Sequence, residues 1–129
     1  MKAIINGKIL LRNEVLENKV LVFDKKIIDI TDEVPSGCEV IDVKGKLVSP
    51  GLIDIHIHGN MGKDTMEGTD EAIDIISKSV ARHGVTSYLP TTMTMDEESI
   101  LKALESIRRG MNRSTEGARV IGAHLEGPF

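Results

Sequence analysis

Tryptophan is missing from this chain, and the other aromatics amount to two phenylalanines and one tyrosine in 129 residues. Any hydrophobic core must therefore be built from Ile, Leu, Val and Met. Cysteine is as scarce. Cys38 stands alone in a Pro-Ser-Gly-Cys turn. One thiol cannot close an internal disulfide, and no neighbouring residue offers a second metal ligand. A reduced, cytoplasmic setting is the expectation. No apolar run approaches the roughly 20 residues that a membrane-spanning helix needs. The opening Met1-Lys2-Ala3-Ile4-Ile5-Asn6-Gly7 carries no apolar region of signal-peptide type. The net charge is −4 with both signs mixed along the chain, so no basic stripe exists to neutralise phosphates, and nucleic acid is not an expected partner. Absent too are a GxGxxG turn, a phosphate-binding P-loop and a Gly-x-Ser-x-Gly nucleophile elbow.

What is present fits a soluble globular protein: 40% hydrophobic and 28% charged residues. Residues 1–49 read as a small β-sandwich-like domain of short strands. Ala3–Ile5 and Lys8–Leu11 flank Asn6-Gly7, a strong hairpin signal because both positions tolerate positive φ. Lys19–Phe23 and Ile27–Ile30 form a second expected hairpin, and Glu39–Val43 and Lys46–Val48, around Lys44-Gly45, a third. From Pro50 on, strands alternate with helices. Leu52–Ile57 is a near-continuous apolar run, the pattern of a strand buried on both faces. A glycine-rich loop covers 59–68. A helix is expected over Thr69–His83, capped by Thr69, with Ile73, Ile76 and Val80 on its inner face and Gly84 as its stop. Val85–Leu89 is a second strand, ending at Pro90-Thr91-Thr92. A second helix starts at the capping-box pattern Thr94-Met95-Asp96-Glu97 and buries Ile100, Leu104, Ile107 and Met111. Ala118–Leu125 is a third strand.

Strand-helix-strand-helix-strand implies parallel strands joined by right-handed crossovers. The polar residues cluster at the carboxyl ends of those strands: His56 and His58 after the first, Thr91 and Thr92 after the second, His124 and Glu126 after the third. Parallel α/β sheets place their sites there. His56 and His58 are two apart, and residues i and i+2 of a strand share a face. Two imidazoles and the carboxylate of Glu126 suit a divalent zinc, iron or manganese ion, which polarises carbonyls and activates water. His124 could face the same site, but a supporting role, hydrogen-bonded to a neighbour, explains it better. Asp54 could bond backbone near Pro50-Gly51 or support a histidine. Dipole complementarity at a helix end accounts for His83, and Lys63 and Asp64 read as loop polars.

Pro50-Gly51-Leu52-Ile53-Asp54-Ile55-His56-Ile57-His58-Gly59 resembles the opening of the catalytic barrel in the amidohydrolase superfamily. The β-rich segment from Ile4 resembles the small sandwich domain beside that barrel. Those features also fit dihydroorotases, dihydropyrimidinases, adenine deaminases and isoaspartyl dipeptidases. The stretch Gly122-Ala123-His124-Leu125-Glu126-Gly127-Pro128-Phe129 is more selective: it resembles the glutamate motif of the N-acetylglucosamine-6-phosphate deacetylase family. Gly84-Val85-Thr86-Ser87-Tyr88-Leu89-Pro90-Thr91 is similar to the second barrel strand of the same family.

The resemblance implies an α/β fold: the first three strands and two helices of a (β/α)8 TIM barrel over 50–129, after an incomplete β-sandwich domain over 1–49. It implies hydrolysis of the acetamide of N-acetylglucosamine 6-phosphate to glucosamine 6-phosphate and acetate by water activated at one or two divalent metals. It makes Glu126 a ligand, able to bridge two metals beside His56 and His58, and it suggests a homodimeric full-length enzyme. It also implies two further histidine ligands, an acid–base aspartate and phosphate-binding groups. None has a counterpart in these residues, so no catalytic residue is assigned. The expectation is an N-terminal fragment, inactive alone. The alternatives are another superfamily hydrolase, a cyclic amidase or deaminase, or a non-catalytic scaffold.

Overall fold

The computed structural model describes residues 1–113 and 115–127. Pro128 and Phe129 of the glutamate motif lie outside the described residues. Backbone contacts divide the chain after Pro50 into two units, Met1–Pro50 and Gly51–Phe129.

The first unit holds seven short strands: β1 (Lys2–Ile5), β2 (Lys8–Leu10), β3 (Val15–Leu16), β4 (Val20–Phe23), β5 (Ile27–Thr31), β6 (Glu39–Asp42) and β7 (Leu47–Val48). They form a four-stranded sheet in the order β5-β4-β1-β6 and a three-stranded sheet in the order β3-β2-β7. Ala3, Val20 and Val22 make the core, with Ile5 and Cys38 packed against it.

Only the second of the three expected hairpins exists, β4 with β5. The Asn6-Gly7 and Lys44-Gly45 turns each carry the chain from one sheet to the other instead. β1 and β6 run parallel in the larger sheet, and β2 and β7 run parallel in the smaller. The two turns bind each other: Gly45 N donates to Asn6 O at 2.6 Å, and Lys8 N to Lys46 O at 3.0 Å. Asn6 does adopt a positive φ, 56°. Gly7 is required for room rather than φ, since a Cβ there would lie 2.7 Å from Val48 Cγ2. A turn motif specifies a reversal but not which strand the chain pairs with afterwards.

The second unit is built on three parallel strand paths. β8 (Leu52–Ile57) pairs with β11 (Val85–Thr92), and β11 pairs on its other side with β12 (Arg119–Val120) and β13 (His124–Leu125). The glycine-rich stretch contains a two-stranded ribbon, β9 (Gly59–Asn60) with β10 (Lys63–Asp64), then a 3-10 turn at Thr65–Glu67. Asp64 caps that turn and Glu67 reaches back to it, a complete capping box. Lys63 lies 3.1 Å from Glu67 and 3.4 Å from Glu71, so these polars organise the ribbon.

Helix α1 (Asp70–Ala81) follows, with the Thr69 side chain accepting from Ala72 N. Ile73, Ile76 and Val80 are buried as the spacing predicts, in one core with Tyr88, Ile107, Ala118 and Val120. The Tyr88 hydroxyl donates to Ile73 O at 3.0 Å, and burial pushes its pKa well above the usual value.

Helix α2 (Glu97–Asn112) is capped by Asp96 rather than Thr94. Its inner face is Ile100, Ala103, Ser106, Ile107 and Gly110, so Met111 is exposed where burial was expected. The small residues let α2 approach closely: a Cβ on Gly110 would sit 2.9 Å from Ile73 Cγ2. A stripe read from large apolar residues alone misses such a face.

Three further expectations need correction. β11 continues through Pro90 to Thr92, although proline in a central strand removes a ladder donor. The third strand is broken into β12 and β13, with 121–123 between them. And β8 is not buried on both faces: Leu52, Ile53 and Ile55 are 62%, 59% and 65% exposed. Among the described residues only β11 pairs with it, so its far edge and much of its apolar surface have no cover.

Candidate metal centre

The β8–β11 pairing is irregular twice. Leu52 and Ile53 face Val85 and Ser87, which leaves Thr86 extra on β11; Asp54 and Ile57 face Tyr88 and Pro90, which leaves an extra residue on β8 within Ile55-His56. Thr86 packs so tightly on Gly51 that a Cβ there would lie 2.1 Å from its Cγ2. The Pro-Gly of the opening stretch thus has a steric reason.

His56, His58 and Glu126, expected from sequence to form one site, converge. His56 Nε2 lies 3.3 Å from His58 Nε2 and 2.9 Å from Glu126 Oε2, and His58 Nε2 lies 3.0 Å from the same oxygen. His58 Nδ1 donates to Thr91 O at 3.2 Å. A carbonyl can only accept, so the proton is on Nδ1 and, in the neutral ring, the Nε2 lone pair faces the cluster. Glu126 follows β13 and is anchored by Thr94, whose hydroxyl donates to Glu126 O at 3.3 Å. Gly127, at φ 68°, leaves no space for a Cβ, which would lie 2.2 Å from Thr94 Oγ1. The hydrogen bond from His56, reinforced by both imidazoles, holds the Glu126 carboxyl below the usual range.

This donor set fits a divalent cation. Two imidazole nitrogens and a carboxylate oxygen are all electron-pair donors, and they repel at such distances unless a proton or a cation lies between them. Neighbouring ligands around a tetrahedral ion with metal–nitrogen bonds near 2.0 Å stand roughly 3.3 Å apart.

The other candidates fall into supporting places. His124 Nδ1 donates to Ile55 O at 3.0 Å, and its ring stacks edge-on to His56 with centroids 4.5 Å apart. Asp54 Oδ1 accepts from His56 N at 3.0 Å, a backbone bond at the histidine itself rather than one near Pro50-Gly51 or one to an imidazole ring. His83 lies in the exposed turn after α1. Sequence reasoning placed Thr91 at the strand end without a role. Its carbonyl orients His58, and no side-chain pattern advertises a carbonyl.

Residues 47–128 match the amidohydrolase family. The chain belongs to the amidohydrolase family. This amidohydrolase is 38% identical, over 94% of its length, to N-acetylglucosamine-6-phosphate deacetylase of Bacillus subtilis, of which it covers 32%. It is also 38% identical, over 78% of its length, to N-acetylgalactosamine-6-phosphate deacetylase of Escherichia coli O157:H7, covering 28% of it. Among solved structures, N-acetylglucosamine-6-phosphate deacetylase of Pasteurella multocida superposes with a TM-score of 0.90 at 31% identity, over 99% of this chain and 34% of that one. The chain spans about a third of the length of the relatives it matches. With these likenesses, the parallel strands and two helices of the second unit are the first part of the amidohydrolase TIM barrel.

Proposed function

We propose that this chain is the amino-terminal part of a deacetylase that hydrolyses the acetamide of N-acetylglucosamine 6-phosphate to glucosamine 6-phosphate and acetate. The observation that carries the reading is the meeting of His56 Nε2, His58 Nε2 and Glu126 Oε2 at the carboxyl ends of parallel strands. It occurs in a chain similar to such deacetylases over most of its length. These three side chains would hold one or two divalent ions, zinc, iron or manganese. An ion there supplies a Lewis acid for the acetamide carbonyl and lowers the pKa of water toward neutrality. The chain's own contribution is to present the ligands: Thr91 O fixes the His58 tautomer, and Thr94 anchors the backbone of Glu126. The acid–base aspartate, two further histidine ligands and the phosphate-binding groups belong to the remainder of the barrel. The partner is therefore a small anionic sugar, and the full-length enzyme is a cytoplasmic homodimer. No helix among the described residues is long and apolar enough to cross a membrane.

The test is acetate release by the full-length protein from the 6-phosphates of N-acetylglucosamine and N-acetylgalactosamine, beside ring opening of a hydantoin. Turnover of the glucosamine compound, lost on chelation and in His58→Ala, supports the reading. Preference for the galactosamine epimer would move the substrate to that of the Escherichia coli relative. Ring opening without acetate release, or no bound metal after preparation in zinc, overturns it.

A further inference from the structure

The irregularity between Asp54 and Ile57 is bridged by side chains, and that bridging bears on the site. In a parallel ladder with Ile57 opposite Pro90, the Ile57 N–H would reach the carbonyl of Leu89. It reaches Thr91 Oγ1 at 3.0 Å as well, and that hydroxyl donates to Leu89 O at 3.2 Å. The Thr91 hydroxyl thus links the two strands at this rung, accepting on one side and donating on the other. One residue earlier, the His56 N–H belongs to the bulged pair and is taken by Asp54 Oδ1 at 3.0 Å. Pro90 has no N–H to offer to either strand. Thr91 is fully buried, so no water competes for its hydroxyl. Two successive strand N–H groups, at the ligand His56 and at the residue between the ligands, are therefore held by side chains.

We propose that Asp54 and Thr91 are positioning residues of the metal pair. By accepting the His56 and Ile57 N–H groups they hold β8 in its bulged path, and that path aims both Nε2 atoms at Glu126. A regular ladder would carry His56 to a different rotation about the strand axis. Thr91 acts twice, since its carbonyl also fixes the His58 ring. The inference rests on His56 and His58 being metal ligands.

The experiment measures zinc dissociation constants and cobalt(II) absorption spectra on the full-length protein and four variants. Asp54→Ala and Thr91→Val remove the acceptor. Asp54→Asn and Thr91→Ser keep it. Groups that orient metal ligands typically carry about 10–100-fold in metal affinity. Ala and Val should lose that much and alter the cobalt spectrum, while Asn and Ser should stay within about threefold of wild type. A folded Asp54→Ala or Thr91→Val with wild-type affinity and spectrum overturns the proposal. So does Asp54→Asn binding as weakly as Asp54→Ala, because charge rather than the accepted N–H would then matter. Should buried Thr91→Val fail to fold, the half-buried Asp54 pair decides. A wild-type protein that binds no zinc defeats the ligand reading itself. Wild-type binding that is lost in His58→Ala but kept in Asp54→Ala and Thr91→Val defeats the positioning role alone.

Discussion

Gly51 shows how one residue without a side chain serves the site from several positions away. It lies under the extra residue of β11, Thr86, and an added methyl would lie 2.1 Å from Thr86 Cγ2 and 2.6 Å from its Cβ. Shifting a rotamer cannot relieve a contact with Cβ, so the strands must part. Gly51→Ala should destabilise the full-length protein by about 1–3 kcal/mol, the usual cost of overpacking. Combining it with Thr86→Gly, which removes the obstacle, should cost less than the sum of the two single changes. Denaturant unfolding of the four proteins measures this coupling, and strict additivity would show that the contact does not hold the strands in place. His56, His58 and Glu126 were legible as a set because ligand chemistry is written in side-chain types and in their distance from strand ends. The roles of Gly51 and of the Thr91 carbonyl were not, because they depend on register and backbone, which no residue type encodes.

The helices separate a readable signal from a misleading one. Helix α1 follows its cap and stripe closely: Thr69 accepts from Ala72 N, and Ile73, Ile76 and Val80 are buried. At α2 the capping-box pattern beginning at Thr94 loses to Asp96, two residues later. Asp96 Oδ1 accepts from Ser99 N at 2.9 Å and its Oδ2 accepts from the Ser99 hydroxyl at 2.7 Å, while Thr94 turns to Glu126. Several residues near a helix start can cap it, and tertiary contact chooses among them. The Ser99 N–H, and then its hydroxyl, hold the Asp96 carboxyl below its ordinary value. A carboxylate with a lowered folded pKa stabilises above its unfolded pKa of about 4 and loses that contribution as pH falls through the folded value. The stability difference between wild type and Asp96→Ala should thus be constant near neutrality and shrink in acid below pH 4. Asp96→Asn, which still accepts but does not titrate, should keep its advantage over alanine across that range. Exchange of the Ser99 amide, followed against pH in the three proteins, reads this locally. A gap between wild type and alanine that persists unchanged to pH 2 would assign the capping to something other than the carboxylate. The small-residue face of α2 and the sheet-crossing turns of the first unit were illegible for a shared reason: each is decided by what packs opposite, which a single stretch of sequence does not contain.

At the scale of the molecule, the described residues carry ligands at the ends of strands whose own surroundings are open. β8 holds two of the three donors, yet Leu52, Ile53 and Ile55 are more than half exposed and its far edge is unpaired among the described residues. Unpaired apolar edges bind other chains or aggregate. Metal ligands on such a strand have no strand support on that far edge among the described residues. Two consequences follow for the 129 residues produced alone. They should bind a hydrophobic dye and aggregate beyond a dimer, and full-length protein at the same concentration should do neither, because burial of β8 removes the surface responsible. They should also release no acetate from N-acetylglucosamine 6-phosphate at any zinc concentration. The three donors can gather an ion, but the acid–base aspartate of the proposed reaction belongs to the remainder of the barrel, so none of these residues is assigned to carry a proton to the departing amine. Acetate release by these residues alone, measured beside a His58→Ala control that abolishes it, would show that the general acid lies within them and that the division of the site across the barrel is mistaken.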